Sequence, residues 1–357
     1  MRVLFLQQQP CIRTLKYAVG LRSAGDSVYL GFAYQGQTLH QWYGTGDELF
    51  DEWSPIGSDV AGDLRGVIER FRPDVIHSHN LPDRLTVLAM ELTGGAVPIV
   101  HDAHDLQCLR QTPYEDGFPE PADPLALERR AVEGCDGLVV VSEEMRDELG
   151  ARYRLPISRC FPNYALARDL PRTLPDAARR GDGPPRVVYQ GTLSTNGGHY
   201  DLRELFEAIV AGGVRLDIYP SRRVAEYELL AERWPGMRCL EKVDPRRLLQ
   251  ILPEYDFGWA GFNASLNAAH LDTALPNKLF EYLGCGLPVL TMGHRAMVRL
   301  IGERGLGIDV EAVDDLAATL RDVDVRGLRQ RVAEARFDFT VEANIAPILD
   351  LYKTVVG

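Results

Sequence analysis

The sequence predicts an α/β protein built from two doubly wound parallel sheets, and three observations lead to this fold class. The chain has 357 residues, which is more than one hydrophobic core usually supports. Apolar strand-like runs alternate with helical runs through both halves, which is the pattern of βαβ units. A segment rich in proline, glycine and charge separates the halves at 169–185. We therefore expect two domains of similar architecture.

The predicted strands are short apolar runs bounded by turn residues. In the first half they lie at 2–7, 27–32, 74–79, 99–104, 137–142 and 159–161. In the second half they lie at 186–190, 215–219, 237–243, 256–260, 288–291 and 305–310. Near the end of the chain, Thr340 is expected to cap a helix with one apolar face, and Pro347 is expected to kink it.

Composition and charge exclude several classes of protein. With 45% hydrophobic and 25% charged residues, the sequence is typical of a soluble globular protein. Its net charge of −12 argues against a nucleic-acid surface, which needs clustered Lys and Arg. No apolar run is long enough for a membrane span or a signal peptide, so a cytoplasmic location is expected. The six cysteines form no C-x-x-C pair, which favours reduced thiols.

The run from 276 to 290, P-N-K-L-F-E-Y-L-G-C-G-L-P-V-L, is the most informative stretch. Pro276 suits the first position of a helix that glycine ends at Gly284, and a buried strand follows. Lys278 and Glu281 share one helix face, roughly 4.5 Å apart along the axis at ~1.5 Å per residue. Free amides at a helix start attract phosphate. The pattern therefore predicts a site for the diphosphate and ribose of a nucleotide sugar.

This run resembles the donor-site helix of retaining GT-B glycosyltransferases of family 4, in which an N-K-L-F-E-Y-type segment precedes G-x-P-V. The resemblance implies two Rossmann-like domains facing a cleft. Residues 1–168, joined by a C-terminal helix at 340–357, would form the acceptor-side domain. Residues 169–185 would be the linker, and 186–339 the nucleotide-sugar-binding domain. The alternative is an ordinary amphipathic helix on which Lys278 and Glu281 form a solvated ion pair.

The function that the resemblance implies is transfer of a sugar from a nucleotide-diphosphate donor, with a UDP-sugar favoured. The acceptor would be a small molecule or a saccharide, the anomeric configuration would be retained, and neither a metal nor another cofactor would be needed. No nucleic-acid partner is expected. The implied donor-binding residues are Gly191, Thr192, Val243, Asn277, Lys278, Leu279 and Glu281.

Two features depart from the family pattern. The family signature places two glutamates with seven residues between them, but the position eight before Glu281 is Thr273, with Asp272 beside it. Asp272 and Thr273 are therefore the candidates for holding the donor sugar. The family usually supplies an Arg or Lys pair after the first strand of its second domain, where this chain has Thr192. Lys278 is then expected to carry more of the phosphate charge.

Histidines follow two predicted strands of the first half. Taken alone, His77, His79, His101 and His104 predict a metal-dependent hydrolase, because imidazole is a common ligand of zinc and iron. Family 4 enzymes show very similar segments without needing a metal. By that resemblance His104 is the catalytic residue near the donor sugar, and His79 and Asp105 line the cleft.

The loop at 7–14 contains no glycine, where a dinucleotide-binding fold would need G-x-G-x-x-G, and this weighs against a nicotinamide dehydrogenase. Gln8 and Arg13 of this loop are instead expected to contact the acceptor or a phosphate. Other hypotheses stay open. A sugar-nucleotide epimerase or a pseudo-glycosyl coupling enzyme would keep the donor site and change the chemistry, and a two-domain binding protein would have no activity.

Overall fold

The structure is a computed structural model that describes residues 1–8, 10–25, 27–36, 49–80, 83–112, 121–175 and 183–357. The chain forms two compact units, of which the first comprises Met1–Pro162 with Val341–Gly357 and the second Asn163–Thr340. Residues 163–168, which the sequence analysis grouped with the first half, belong to the second unit. There Asn163 Nδ2 donates to the Leu275 carbonyl at 2.8 Å. Residues 176–182 of the predicted linker lie outside the described residues.

The described elements alternate between strand and helix. The strands are β1 (Arg2–Gln7), β2 (Tyr29–Tyr34), β3 (Glu52–Pro55), β4 (Val75–His79), β5 (Ile99–Ala103), β6 (Gly137–Val140), β7 (Ile157–Cys160), β8 (Arg186–Gly191), β9 (Arg215–Pro220), β10 (Met237–Cys239), β11 (Phe257–Trp259), β12 (Val289–Thr291) and β13 (Gly307–Asp309). The α-helices are α1 (Ile12–Ser23), α2 (Val60–Phe71), α3 (Arg84–Thr93), α4 (Pro124–Gly134), α5 (Glu143–Gly150), α6 (Arg203–Ala211), α7 (Ala225–Arg233), α8 (Pro245–Ile251), α9 (Ala268–Leu271), α10 (Asn277–Gly284), α11 (Arg295–Arg304), α12 (Leu316–Arg321), α13 (Val325–Ala335), α14 (Val341–Asn344) and α15 (Ala346–Val356). Short 3₁₀ turns lie at Gln107–Leu109, Ala167–Asp169, Leu252–Glu254, Val313–Asp315 and Arg336–Phe339.

The sheet of the first unit is parallel, with strand order β3-β2-β1-β4-β5-β6-β7. The order reverses beside β1, which pairs with β2 on one side and with β4 on the other. Strand residues such as Val3, Phe5, Ile76 and Val100 are buried because helices cover the sheet.

The sheet of the second unit is also parallel, with order β10-β9-β8-β11-β12-β13. Here the order reverses beside β8, which pairs with β9 and with β11. In open parallel sheets, ligands bind outside the carboxyl ends of the strands at such a reversal. The predicted fold class, two parallel α/β sheets, is confirmed.

Several helices begin where a side-chain oxygen accepts an unpaired amide of the first turn. Asp59 caps α2, Asp123 caps α4 and Asp244 caps α8 through their carboxylates. Ser142 caps α5 by accepting from the Met145 amide at 3.0 Å. These bonds fix the residue at which each of the four helices begins.

Each predicted strand overlaps an observed one, and the strand that the sequence analysis missed is β3. It is a short edge strand with the sequence E-W-S-P, in which only Ser54 is buried, so it lacks an apolar run. Strand β10 ends at Cys239, four residues before the predicted end at Val243. It too is an edge strand, and pairing with β9 stops at Cys239.

The C-terminal segment differs from the single kinked helix that was expected. Pro347 lies in the first turn of α15, where its missing amide needs no partner, and α14 ends before it at Asn344. Thr340 belongs to the second unit and donates its hydroxyl to the Phe337 carbonyl at 2.8 Å. In the part of the chain that the structure describes, no helix has the length and apolarity that a membrane span requires.

Replacing Gly258 by alanine should destabilise the second unit. A Cβ at Gly258 would lie 2.3 Å from the Tyr282 ring, so Gly258→Ala should lower the free energy of unfolding by about 1–3 kcal/mol through overpacking. The control is Gly302→Ala at an exposed position of α11, where a Cβ meets nothing within 4 Å and the helix should gain about 0.5–1 kcal/mol. Urea unfolding measures both variants, and equal effects would contradict the close packing.

Candidate active site

In the second unit, helix α10 places Lys278 and Glu281 beside the end of strand β8. The helix begins at Asn277, one residue later than predicted, and Pro276 is its N-cap and not its first helical residue. Its end is fixed by the Cys285 amide, which donates to the Glu281 carbonyl at 3.0 Å, and by Gly286 with φ of 75°. Leu279 and Leu283 anchor the helix in the core.

Lys278 is a buried cation surrounded by aromatic rings. Its side chain belongs to a residue only 7% exposed, and Nζ lies 4.2 Å from the ring centroid of Tyr189 and 4.9 Å from that of Phe262. Nζ also donates to the Tyr189 hydroxyl at 3.1 Å. Burial lowers the pKa of Lys278 to about 7, although the nearby Glu281 carboxylate acts in the opposite direction.

Gly191 ends strand β8 directly beside this amine. Its φ of 129° is a conformation that favours glycine, and a Cβ there would lie 3.7 Å from Lys278 Nζ. The Tyr189 hydroxyl donates to the Thr192 carbonyl at 2.5 Å, so the loop after β8 and the amine share one phenol. A loop of this kind lets a diphosphate approach the backbone closely.

Glu281 is held by strand β8. Its Oε2 accepts from Gln190 Nε2 at 2.6 Å, and the Gln190 amide donates to the Tyr282 hydroxyl at 3.0 Å. Glu281 is partly exposed, as binding to a ribose requires. Gln190 and Tyr189 were not predicted as site residues. The available signal was their position at the C-terminal end of a predicted strand, directly before a predicted ligand-binding loop.

The other predicted donor residues differ in what they expose. Thr192 is exposed, and Asn277 and Val243 are partly exposed. Leu279 is fully buried and anchors the helix, so it exposes no surface to a ligand. The structure thus brings Gly191, Thr192 and Lys278 together.

The two residues predicted to hold the donor sugar already have protein partners. Asp272 Oδ2 accepts from Arg295 Nε at 3.1 Å. Thr273 is fully buried, and its hydroxyl donates to the His270 carbonyl at 2.8 Å. Both side chains therefore fix the turn between α9 and α10.

In the first unit, the buried carboxylate of Asp102 organises the polar groups at the ends of β4 and β5. Arg13 Nε donates to its two oxygens at 3.0 and 2.9 Å, and the Tyr17 hydroxyl donates to Oδ2 at 2.6 Å. Arg13 also donates to the Phe161 carbonyl at 2.7 Å. Burial alone would raise the pKa of Asp102, but the Arg13 charge, acting together with the neighbouring histidines, holds that pKa well below its usual range.

Arg13, predicted to contact the acceptor or a phosphate, is thus committed to a buried ion pair and is 3% exposed. Gln8 is 1% exposed, and its carbonyl accepts the Gly36 amide at 2.7 Å. Asp105 is partly exposed, and its carbonyl accepts from Asn80 Nδ2 at 2.5 Å. Gln9 of the same loop lies outside the described residues.

His77 and His79 lie beside Asp102 as uncharged rings. Burial lowers the pKa of His77, and it lowers that of His79 well below the usual value despite the Asp102 charge. The His77 Nδ1 is 2.5 Å from the Tyr352 hydroxyl of α15. Both rings are fully buried, so His79, expected to line the cleft, contributes no accessible surface.

These residues bear on the metal hypothesis. Ligand atoms of His77, His79 and Asp102 lie within 4.8 Å of one another. However, the two rings stack at 4.7 Å with an interplanar angle of 12°, so their lone pairs lie in two nearly parallel planes. The Arg13 guanidinium also occupies the Asp102 oxygens and repels a cation. This donor set fits a metal ion poorly.

His101 does not join the other histidines. Adjacent strand residues point to opposite faces, and His101 contacts Thr86 Oγ1 at 3.0 Å and Asp83 Oδ1 at 3.1 Å on the side of α3. Thr86 in turn bonds Ser78 at 2.8 Å. This second buried network joins α3 to the sheet.

His104 is the one histidine of this cluster with an accessible side chain, 14% exposed. Its Nδ1 lies 3.3 Å from Asp102 Oδ1. Burial lowers its pKa, but the hydrogen bond and charge of Asp102 more than compensate and raise it to about 9. At neutral pH His104 is therefore an imidazolium, with Nδ1 turned to Asp102 and Nε2 left to donate elsewhere.

The fold of the chain is that of GT-B glycosyltransferases. It is similar to HepE of Anabaena in complex with UDP, with a TM-score of 0.70, 15% identity, and coverage of 98% of this chain and 100% of that chain. Sucrose-phosphate synthase from Thermosynechococcus elongatus has a TM-score of 0.67, 15% identity and coverage of 99% of both chains. A Listeria monocytogenes structure described as a UDP-N-acetylglucosamine 2-epimerase has a TM-score of 0.62, 17% identity, and coverage of 99% and 96%.

Residues 14–163 match the family model described as a glycosyl transferase 4-like domain. No curated protein matches the sequence. The family match lies in the first half of the chain, whereas the N-K-L-F-E-Y motif lies in the second. The resemblance to GT-B glycosyltransferases is therefore confirmed independently of the motif that suggested it.

His104 should titrate near pH 9, and Asp102→Asn should lower its pKa to about 6.5 or below. Because the folded pKa is raised, the stability that His104 contributes is present below pH 6.5 and is lost as pH rises through about 9. NMR titration of the imidazole signals measures this. His294 serves as the internal control, since burial lowers its pKa and it belongs to the other unit.

Asp102→Asn leaves Arg13 buried without a carboxylate, so the double variant Arg13→Gln, Asp102→Asn provides a second, charge-balanced measurement. The His104 pKa should fall in both variants. A wild-type His104 that titrates near 6.5 would show that Asp102 does not control it.

Proposed function

We propose that this protein is a retaining glycosyltransferase that moves a sugar from a nucleoside-diphosphate donor to a small-molecule or saccharide acceptor. A UDP-sugar is the favoured donor. The observation that carries the proposal is the position of Lys278 beside Gly191 and of Glu281 beside Gln190, at the strand-order reversal of the second sheet. The fold similarity to HepE, whose structure contains UDP, is consistent with it.

Each group has a role that its chemistry supports. Lys278 and the backbone of the Gly191–Thr192 loop bind the diphosphate, and the Glu281 carboxylate accepts hydrogen bonds from the ribose hydroxyls. Asn277 and Val243 contribute through their partly exposed surfaces, and Leu279 contributes by anchoring helix α10 in the core.

The donor sugar needs other contacts because the side chains of Asp272 and Thr273 are engaged. We assign them the role of fixing the turn whose backbone faces the sugar. Asp272 would contact the sugar directly only by exchanging its bond to Arg295 for one to a sugar hydroxyl. His104 supplies a positively charged N–H donor, which suits a sugar hydroxyl or a developing negative oxygen.

The reaction proposed is a displacement on one face of the sugar. The bond between the anomeric carbon and the diphosphate oxygen breaks, and a bond from the acceptor oxygen forms on the same face. The leaving diphosphate takes the acceptor proton. The protein then contributes positioning and electrostatic stabilisation, and no metal is required.

A sugar-nucleotide epimerase is the second candidate, because the Listeria structure described as an epimerase shares the fold. It would use the same donor site. Conversion of the donor sugar without any acceptor would favour this activity, whereas transfer that depends on an added acceptor favours the glycosyltransferase.

A panel of nucleoside diphosphates should identify the donor base, and Glu281→Gln should weaken the response. A ligand at ~100 times its dissociation constant raises the stability by about 2.7 kcal/mol, which a thermal-shift assay detects. Glu281→Gln loses a charged acceptor while keeping the shape, so we expect about 10²-fold lower kcat/KM with the donor and an unchanged ligand-free Tm.

The matched control is Glu232→Gln, which changes an exposed carboxylate on α7 of the same unit and should leave kcat/KM unchanged. If no nucleoside diphosphate stabilises the protein, the proposed function is wrong. If Glu281→Gln keeps normal donor kinetics, Glu281 is structural.

Transfer should continue after exhaustive chelation, because Lys278 and backbone amides provide the charge that a divalent ion would otherwise supply. Activity is measured before and after treatment with a chelator and again after adding zinc or manganese. Loss of activity that either metal restores would favour the hydrolase hypothesis built on His77, His79, His101 and His104.

A further inference from the structure

The amine of Lys278 lies in surroundings that stabilise its charge weakly. Its three facing rings are those of Tyr189, Phe262 and Tyr200, with Nζ at 4.2, 4.9 and 5.7 Å from their centroids. Attraction to a ring is worth about 0.5–2 kcal/mol, which is less than the loss of hydration on burial of an ammonium. Within the described residues, no carboxylate forms an ion pair with Lys278 at 4.0 Å or less.

The titratable groups that face this amine do not supply a full countercharge. Tyr189 comes from β8, and burial raises the pKa of its phenol well above 10, so it stays neutral. Tyr200 approaches from the loop after β8, and Phe262 from the loop after β11 is uncharged. Glu281, on the same helix as Lys278, is the remaining acid, and its Oε2 accepts a short bond from Gln190.

The amine is nevertheless fixed in direction. It donates to the Tyr189 hydroxyl, whose own proton goes to the Thr192 carbonyl. Nζ therefore sits beside Gly191, where the missing side chain leaves the backbone open to a ligand. An anion bound at this loop would lie next to the amine and would provide the countercharge that the protein does not.

We propose that the site binds a nucleoside diphosphate together with one proton, which the Lys278 amine takes up from solvent as the diphosphate arrives. This inference rests on the proposed function and adds to it a control of donor affinity by pH. In the free protein, Lys278 is partly neutral at pH 7, and in the complex it is an ammonium.

The consequence for affinity follows from linkage. A proton bound with the ligand makes the dissociation constant rise about tenfold per pH unit once the free amine is mostly neutral. Because burial holds the pKa of free Lys278 at about 7, the affinity should be nearly constant below pH 6 and should fall above pH 7.

The experiment is calorimetric titration of the full chain with UDP at pH 6, 7 and 8, each in two buffers of different ionisation enthalpy. The difference between buffers gives the number of protons taken up. We expect about 0.1 proton at pH 6 and about 0.9 at pH 8, as a free-state pKa of about 7 requires. Uridine, which has the base and ribose without phosphates, should bind with no uptake.

Lys278→Arg is the matched variant, because a guanidinium keeps its proton at every pH used. It should bind UDP with uptake near zero at pH 8, so any proton exchange by the phosphates themselves is measured and subtracted. Equal uptake by the variant and the wild type would overturn the proposal.

The wild-type curve decides the question even if Lys278→Arg does not fold. Titration of the UDP phosphate near pH 6 would change proton exchange in the acid range, whereas Lys278 predicts uptake that rises from pH 6 to pH 8. Flat or falling uptake across this range overturns the proposal while leaving the donor site intact. Failure of UDP and of every other nucleoside diphosphate to bind would instead overturn the proposed function itself.

Discussion

The reversal of strand order beside the first strand of each sheet determines where this protein can hold a ligand. Helices cover both faces of a parallel sheet, so its faces are core, and its carboxyl edge opens only where neighbouring connections run in opposite directions. In the first unit that place is between β1 and β4, and in the second between β8 and β11. The polar residues of both candidate sites lie at or next to these ends, where a buried strand gives way to a loop.

Each unit buries a charged side chain at its candidate site, Asp102 in the first and Lys278 in the second, and these two side chains have different kinds of partner. In the first, Asp102 has a guanidinium, a phenol and an imidazolium as partners, and this set of charges stays constant over the neutral pH range. In the second, Lys278 has rings and a neutral phenol, so its charge state depends on what approaches it. The first arrangement orients one donor, His104. The second couples binding to a change in charge.

Local pattern was enough to predict the strands, the helix that carries Lys278 and Glu281, and the resemblance that the family match confirms. It was not enough for side-chain partners. Arg13 and Asp102 are 89 positions apart, as are Tyr189 and Lys278, and each pair meets because the fold packs a helix beside a particular strand of the sheet. A polar residue in a loop looks the same in sequence whether it contacts solvent, a ligand or a buried carboxylate. Strand β3 was missed for a related reason, since an edge strand needs no apolar run that a sequence pattern could reveal.

The candidate functional residues of the N-K-L-F-E-Y motif lie on one short stretch of chain because α10 packs closely against the sheet beside β8. Gly258 leaves room for the Tyr282 ring, which brings the helix close to the sheet, and the Tyr282 hydroxyl accepts the Gln190 amide. Gln190 can then reach Glu281, and Tyr189 can reach Lys278. The spacing of the two charged residues is thus set by one helical turn. Their distance from the sheet is set by an aromatic ring in the core. A substitution that shifts this ring would move both charged groups at once, without touching either.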